Sequence, residues 1–183
     1  MKSAADDDDS PEKVVYPLEH AYTSAEFGFD TLKNADAAVA TVLADVADQA
    51  DCDVHLAFVS IEENGWAEYN GRRSYGRGYR YDDDDDDDEN YEIGEVIDRI
   101  EAVSEWQHPE GSRPNIAALP LQNGELCPAD AFEGEEPDEQ YFHEATGNAG
   151  ASFERTYRRA ALVLWPRSRL LANISRAGLD VSM

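Results

Sequence analysis

Residues 156–165 read TYRRAALVLW, an apolar stretch that is closed by Pro166. Its branched and aromatic side chains predict a β-strand, and no other stretch of the chain has a stronger strand pattern. Residues 53–61, DVHLAFVSI, predict a second strand. Its apolar side chains alternate between two faces, with Val54, Leu56 and Phe58 on one and Ala57, Val59 and Ile61 on the other. A strand that is apolar on both faces is expected at the centre of a covered sheet.

One amphipathic helix is predicted between these elements and the N-terminus, from about Thr31 to Gln49, with Asp30 as its N-cap. Its apolar stripe has helical spacing and consists of Leu32, Ala35, Val39, Val42, Leu43 and Val46. This helix is expected to pack against the strand that carries Trp165. One helix among several strands, without repeated βα units, predicts an α+β fold with a mainly antiparallel sheet.

The remaining strand patterns are weaker. Residues 14–22 look extended, and Pro17 limits them to a sheet edge or a bend. Residues 91–106 fit either a helix or a strand, and a strand is favoured for their first half. Residues 116–121 predict a short strand, and residues 124–137 an acidic loop.

The domain organisation follows from composition. Residues 1–12 predict a disordered acidic leader, residues 13–169 a single α+β domain, and residues 170–183 a C-terminal tail. Within the domain, residues 64–90 lack apolar periodicity and predict a long, flexible, acidic insertion.

The charge is strongly negative, with 40 acidic against 15 basic residues and a net charge of −25. Without the runs Asp6–Asp9 and Asp82–Glu89, 28 acidic residues still face 15 basic ones, so the excess is spread over the chain. Lysine occurs at only three positions, and the other cations are arginine. This surface predicts a salt-adapted protein, and it disfavours nucleic acid and anionic membranes as partners.

The chain is expected to be cytoplasmic. Its longest apolar stretch, residues 160–166, is far shorter than the roughly 20 residues that span a bilayer. The N-terminus has no apolar run typical of a secretory signal. Cys52 and Cys127 lack metal-type spacing, which favours a reducing compartment and excludes a disulfide framework or a structural zinc site.

Two groups of residues are candidates for chemistry. His108, Glu110 and His143 could form the two-histidine, one-carboxylate set that holds non-haem iron, with Arg155, Arg158 or Arg159 binding an acidic co-substrate. The alternative is that His108 and Glu110 lie in a solvated Pro/Gly turn and that the arginines pair with acidic neighbours. Residues 72–81 interleave four Arg with three Tyr, a pattern of single-stranded nucleic-acid binding, although the adjacent Asp run favours a self-neutralising loop.

A resemblance to a known family covers the chain in patches from about residue 13 to 169. LEHAYT at 18–23, LKNADAAVATVL at 32–43, HLAFVSIEE at 55–63 and, above all, TGNAGASFERTYRRAALVLWPR at 146–167 resemble the C-terminal part of microbial 2-oxoglutarate/Fe(II)-dependent oxygenases of the prolyl-hydroxylase-like kind. In that family a barrel located before the matched region binds iron through His-x-Asp and a distal His, and a basic residue binds 2-oxoglutarate.

The resemblance implies an accessory module without turnover of its own. This sequence contains no His-x-Asp, so no iron or co-substrate ligand is assigned to any of its residues. Fe(II) and 2-oxoglutarate are then expected in a separate catalytic oxygenase chain or a missing domain, and Met1 need not be a native start. Two alternatives stay open: a divergent dioxygenase with its own iron site, and an interaction module that acts through the Arg/Tyr loop.

Overall fold

A mainly antiparallel sheet and one helix form the described part of the chain. The computed structural model describes residues 11–70, 91–146 and 149–167. Its elements are β1 (Val14–Pro17), α1 (Asn34–Gln49), β2 (Cys52–Tyr69), β3 (Tyr91–Gln107), β4 (Leu119–Pro120), β5 (Glu139–His143) and β6 (Ser152–Pro166). The sheet has the order β1-β6-β2-β3-β4, and β5 also pairs with β6. The pairs β1–β6, β3–β4 and β5–β6 are antiparallel, and the predicted α+β class is confirmed.

The described residues fall into two compact units, whereas the sequence prediction treats residues 13–169 as one domain. The larger unit contains residues 11–60, 101–135 and 158–167. The smaller unit contains residues 61–70, 91–100, 136–146 and 149–157.

Two hydrophobic clusters form the core of the larger unit. The cluster on the helix side contains Leu18, Tyr22, Phe27, Ala40, Ala47, Val54, Leu56, Phe58, Ala160 and Leu162. The second cluster contains Val15, Ala57, Val59, Val103, Trp106, Leu121, Ala161, Val163 and Trp165, with Ile116, Leu119, Leu126 and Phe132 packed against it. Alternate residues of β2 therefore enter different clusters, which confirms the predicted central strand that is covered on both faces.

Helix α1 differs from the prediction at its start and on its apolar face. It begins at Asn34, with Lys33 as an N-cap that makes no side-chain hydrogen bond, because residues 29–31 form a separate 3₁₀ turn. The predicted N-cap Asp30 is therefore wrong. Val42 is 60 % exposed and Val46 is 48 % exposed, so these two residues lie outside the buried stripe.

The strand predictions hold better than the predicted loop boundary. Residues 91–107 form one continuous strand, which confirms the preference for a strand in the first half of this segment. β1 is an edge strand that contains Pro17, as predicted. Strand β2, however, continues to Tyr69, so an insertion that begins at residue 64 is wrong. The predicted leader, the C-terminal tail and most of the insertion lie outside the described residues.

In the smaller unit, the side chain of Phe153 is fully buried. A β-carbon added at Gly65 would lie 2.0 Å from the carbonyl oxygen of Glu95 and 2.9 Å from the Phe153 ring. Only glycine fits here, because any side chain would overlap backbone atoms of the neighbouring strand.

Glu63 carries the main ion pairs of the smaller unit. Its carboxylate is almost completely buried and accepts hydrogen bonds from Arg99 Nη1 and Arg155 Nε, each at 2.5 Å. The two guanidinium groups satisfy both carboxylate oxygens, which is the condition for keeping a charge in a buried position.

Candidate functional site

The turn that carries His108 and Glu110 follows strand β3 in the larger unit. The backbone N–H of His108 donates to the carbonyl of Ser112 at 2.8 Å, and the N–H of Gly111 donates to the carbonyl of His108 at 2.9 Å. Gly111 has φ +89°, a conformation that favours glycine. The Ser112 hydroxyl donates to Glu110 at 2.8 Å. The tight turn predicted from the Pro/Gly pattern is confirmed.

A cavity of about 340 Å³ in the larger unit brings this turn together with α1 and the start of β2. Its lining residues are Ala44, Ala47, Asp48, Cys52, Asp53, Val54, His108, Pro109, Glu110 and Arg167. The cavity wall is therefore part apolar and part charged. Such a concave, mixed surface is the usual form of a small-ligand site.

Arg167 is held at the cavity by three carboxylates. Its guanidinium group donates to Asp53 at 2.9 Å, to Asp51 at 3.2 Å and to Asp48 at 3.4 Å. These hydrogen bonds raise the pKa of Arg167 above its already high value, so this side chain is a permanent cation. Because three anions surround one cation, the rim has no net positive charge with which to attract an acidic ligand.

His55 is a buried histidine that lies behind this turn. Its ring centroid is 4.5 Å from that of His108, and its ring plane is nearly perpendicular to that of Trp106, at 87°. Neither ring nitrogen has a hydrogen-bond partner among the described residues. Burial, with a smaller effect from the charge of His108, lowers the pKa of His55 from 6.5 to about 4. His55 is therefore neutral at pH 7.

The candidate iron ligands His108, Glu110 and His143 do not assemble into a metal site within the described residues. His108 and Glu110 lie in the larger unit, whereas His143 lies on β5 of the smaller unit, with Nε2 at 3.7 Å from Glu154. The described residues contain no group of three or more His, Cys, Asp or Glu side chains that could hold a metal ion. The arrangement of His108, Glu110 and His143 therefore does not fit the coordination of Fe(II). That the whole chain has no iron site stays a prediction.

The three arginines named as possible co-substrate ligands all make ion pairs inside the chain. Arg155 pairs with Glu63, and Arg159 pairs with Glu135 at 2.7 Å. Arg158 pairs with Glu105 at 2.5 Å and lies 3.8 Å above the centroid of the Phe58 ring. The interpretation of these arginines as partners of acidic neighbours is confirmed.

Sequence reasoning missed a buried polar cluster at Asp36. This carboxylate accepts hydrogen bonds from the backbone N–H groups of Glu19 and His20, from His20 Nδ1 and from the hydroxyl of Tyr22. Burial alone would raise the pKa of Asp36, but these hydrogen bonds lower it below its usual value. The ionised carboxylate thus ties residues 19–22 to the first turn of α1. The only sequence signal was one acidic residue among apolar ones at the start of the helix.

Comparisons with known proteins add no relative. No family model, curated protein or solved structure matches this chain. Among the described residues, no helix is long and apolar enough to cross a membrane. The Arg/Tyr segment and the Asp run at residues 72–88 lie outside the described residues.

Proposed function

We propose that this chain is an accessory, salt-adapted module of a 2-oxoglutarate/Fe(II) oxygenase-type protein and has no turnover of its own. In this proposal the catalytic barrel belongs to another polypeptide, which binds the iron and the co-substrate. This chain contributes a folded α+β body that associates with that polypeptide.

One observation carries the proposal: the segments that resemble the family pack against one another. Tyr22, from the first of them, lies in the same hydrophobic cluster as Ala40 of α1, Phe58 of β2 and Leu162 of β6. Residues from all four matched stretches thus build one core. A shared core is what a resemblance spread over distant segments requires if those segments form a folding unit.

The chemistry of the side chains supports a non-catalytic role. The sequence has no His-x-Asp, and the arginines best placed by sequence to bind an acidic co-substrate are engaged by carboxylates. Opening the pair with Arg155 to bind 2-oxoglutarate would leave the buried Glu63 with Arg99 as its remaining cation, and this loss disfavours the use of Arg155 as a co-substrate ligand.

The test has two parts. In the first, the full chain is tagged, expressed in its source organism and purified in high KCl. The proposal expects a stoichiometric companion, identified by mass spectrometry, that carries His-x-Asp, a distal His and a downstream Arg. An unrelated tagged protein of similar negative charge is the control for charge-driven capture. Recovery of the chain without such a companion would contradict the proposal.

In the second part, the purified chain is titrated anaerobically with Fe(II) and 2-oxoglutarate. No charge-transfer band is expected, and His108→Ala and His143→Ala are expected to give the same featureless spectrum as the unchanged chain. A band that either variant abolishes would establish the alternative, a dioxygenase with its own iron site. Addition of the chain to the catalytic polypeptide should change the rate of succinate formation.

A further inference from the structure

The first half of β3 lies at the edge of the sheet in the smaller unit. β3 neighbours β2 on one side and β4 on the other, but the pairing with β4 involves only Ala102 and Val103. In the part of the chain that the structure describes, residues 92–98 therefore have a strand on one side only. The N–H and C=O groups on the other side of such an edge can pair with an added strand.

This edge carries an unusual number of exposed apolar side chains. Ile93, Val96, Ile97 and Ile100 are between 36 % and 57 % exposed. Single exposed apolar residues are normal on a protein surface, but this edge strand carries four branched ones within eight residues, with Ile93 and Ile97 on one face of the strand and Val96 and Ile100 on the other. We call these four residues the apolar patch. Natural edge strands usually avoid this pattern because it invites pairing with another chain.

A cavity of about 230 Å³ adjoins the patch and lies within the smaller unit. Its lining residues are Asn64, Gly65, Trp66, Ile97, Ser152, Phe153 and Glu154. The Trp66 side chain is half exposed, and Glu154 adds a carboxylate. The cavity therefore offers an apolar wall with one acidic group, a combination that suits an apolar side chain next to a basic one.

The negative charge along this edge of β3 indicates which kind of polypeptide can bind there. Glu92, Glu95 and Asp98 are all exposed along the same strand. The one cation of this segment, Arg99, is held by the buried Glu63 at 2.5 Å. With a net charge of −25 on the chain, this surface repels nucleic acid, and it also repels a second copy of itself. A segment rich in Lys or Arg is electrostatically complementary to it.

We propose that the outer edge of β3, residues 92–98, binds an extended segment of another polypeptide in which apolar residues alternate with Lys or Arg. The segment adds as a strand, its backbone pairs with the edge, and one apolar side chain enters the cavity beside Trp66. This proposal is independent of the oxygenase proposal, because it is tested with a synthetic peptide and needs no catalytic polypeptide.

The test uses a labelled ten-residue peptide in which Val and Lys alternate, titrated into the full chain and followed by fluorescence anisotropy. A peptide with Glu in place of Lys should bind at least about tenfold more weakly, a difference of about 1.4 kcal/mol. Amide hydrogen exchange should show protection of residues 92–98 when the Lys peptide is bound. Binding should weaken as KCl is raised, because salt screens the charge attraction.

Matched variants locate the site. Ile97→Lys and Ile100→Lys place a cation in the patch at exposed positions that the fold tolerates, and each should weaken the Lys peptide about tenfold. Val42→Lys is the control, because Val42 is an equally exposed branched residue on α1 of the larger unit. It should leave the affinity unchanged.

Three results would overturn the proposal. The first is equal binding of the Lys and Glu peptides, or equal binding by the Ile97→Lys and unchanged chains. The second is a dimer in sedimentation equilibrium that Ile97→Lys converts to a monomer, which would assign the edge to a second copy. The third is binding that appears only when residues 71–90 are replaced by a Gly/Ser linker, which would assign the edge to that segment of the chain.

Discussion

The buried ion pair between Lys13 and Glu125 gives a sharp test of the packing in the larger unit. Lys13 Nζ lies 2.5 Å from Glu125 Oε2 and donates to the carbonyl of Pro120 at 3.0 Å. Glu125 Oε2 also accepts the backbone N–H of Gln122 at 2.8 Å. The side chains are 3 % and 0 % exposed. The perturbation is Lys13→Met, which keeps the apolar stem and removes the charge.

The expected loss follows from what this change leaves behind. Glu125 then has no cation beside it, its side chain is fully buried, and it retains one backbone donor, the N–H of Gln122. Removal of one partner from a buried pair costs about 3–5 kcal/mol, because the remaining charge is desolvated without compensation. A domain of this size is stable by about 5–15 kcal/mol, so Lys13→Met should remove a large share of the stability.

Urea denaturation, monitored by far-ultraviolet circular dichroism, measures this loss of stability. Urea is chosen as the denaturant because it leaves the ionic strength unchanged. The double variant Lys13→Met, Glu125→Leu should recover most of the loss, because an apolar pair replaces an ion pair of similar volume. Arg167→Gln is the control for an exposed ion-pair cluster and should cost at most about 1 kcal/mol. The reasoning fails if Lys13→Met costs less than about 1 kcal/mol, or if the double variant is as unstable as the single one.

Three further predictions concern pH, backbone space and salt. Because the pKa of His55 is about 4 when folded against 6.5 when exposed, the unfolded chain takes up this proton first. The free energy of unfolding should therefore fall by about 3 kcal/mol more in the unchanged chain than in His55→Leu between pH 6.5 and about pH 4, and parallel pH curves in urea titrations would contradict this. Gly65→Ala should lower the free energy of unfolding by about 1–3 kcal/mol, because the added methyl group would overlap the carbonyl oxygen of Glu95. Gly28→Ala is the control and should cost less, because the atom nearest to its added methyl group belongs to the Asp30 carboxylate, which can move. Equal urea midpoints for the two variants would refute the close approach of Gly65 to Glu95. An increase of KCl from 0.1 to about 1 M should raise the urea midpoint, because the Debye length falls from about 10 Å to about 3 Å; an unchanged midpoint would contradict salt adaptation.

The sequence predicted the centre of the sheet well because the decisive pattern is local. Alternation along residues 54–59 places neighbouring side chains on opposite faces, whatever packs against them. The helix boundaries were harder to predict. Asp30 has the residue type of an N-cap, but the 3₁₀ turn at residues 29–31 takes that position. Val42 and Val46 have the spacing of the apolar stripe, but the buried face of α1 is narrower than this stripe and leaves both side chains exposed.

The sequence assigned residues 64–69 to a loop because the buried side of this part of β2 continues with Glu63 and Gly65 in place of apolar side chains. Residues 62–69 contain acidic residues, Asn64 and Gly65, which in isolation indicate irregular structure. Pairing with neighbouring strands, a property of the whole fold, makes them a strand.

The surroundings of His55 could not be predicted from the sequence either. His55 sits inside an apolar run, and nothing in the sequence indicates that its ring lies beside the ring of His108.

The two hydrophobic clusters of the larger unit are covered by different kinds of structure. This difference determines where the chain can accept inserted or deleted residues. Helix α1 covers one cluster, whereas the other is covered by a stretch without helix that includes Ile116, Leu126 and Phe132. Residues 111–135 contain no helix, but their apolar side chains cover this cluster in the way that α1 covers the other one. Insertion points, affinity tags and fusion junctions therefore belong elsewhere, because even a one-residue change of length in this stretch would pull apolar side chains off the sheet.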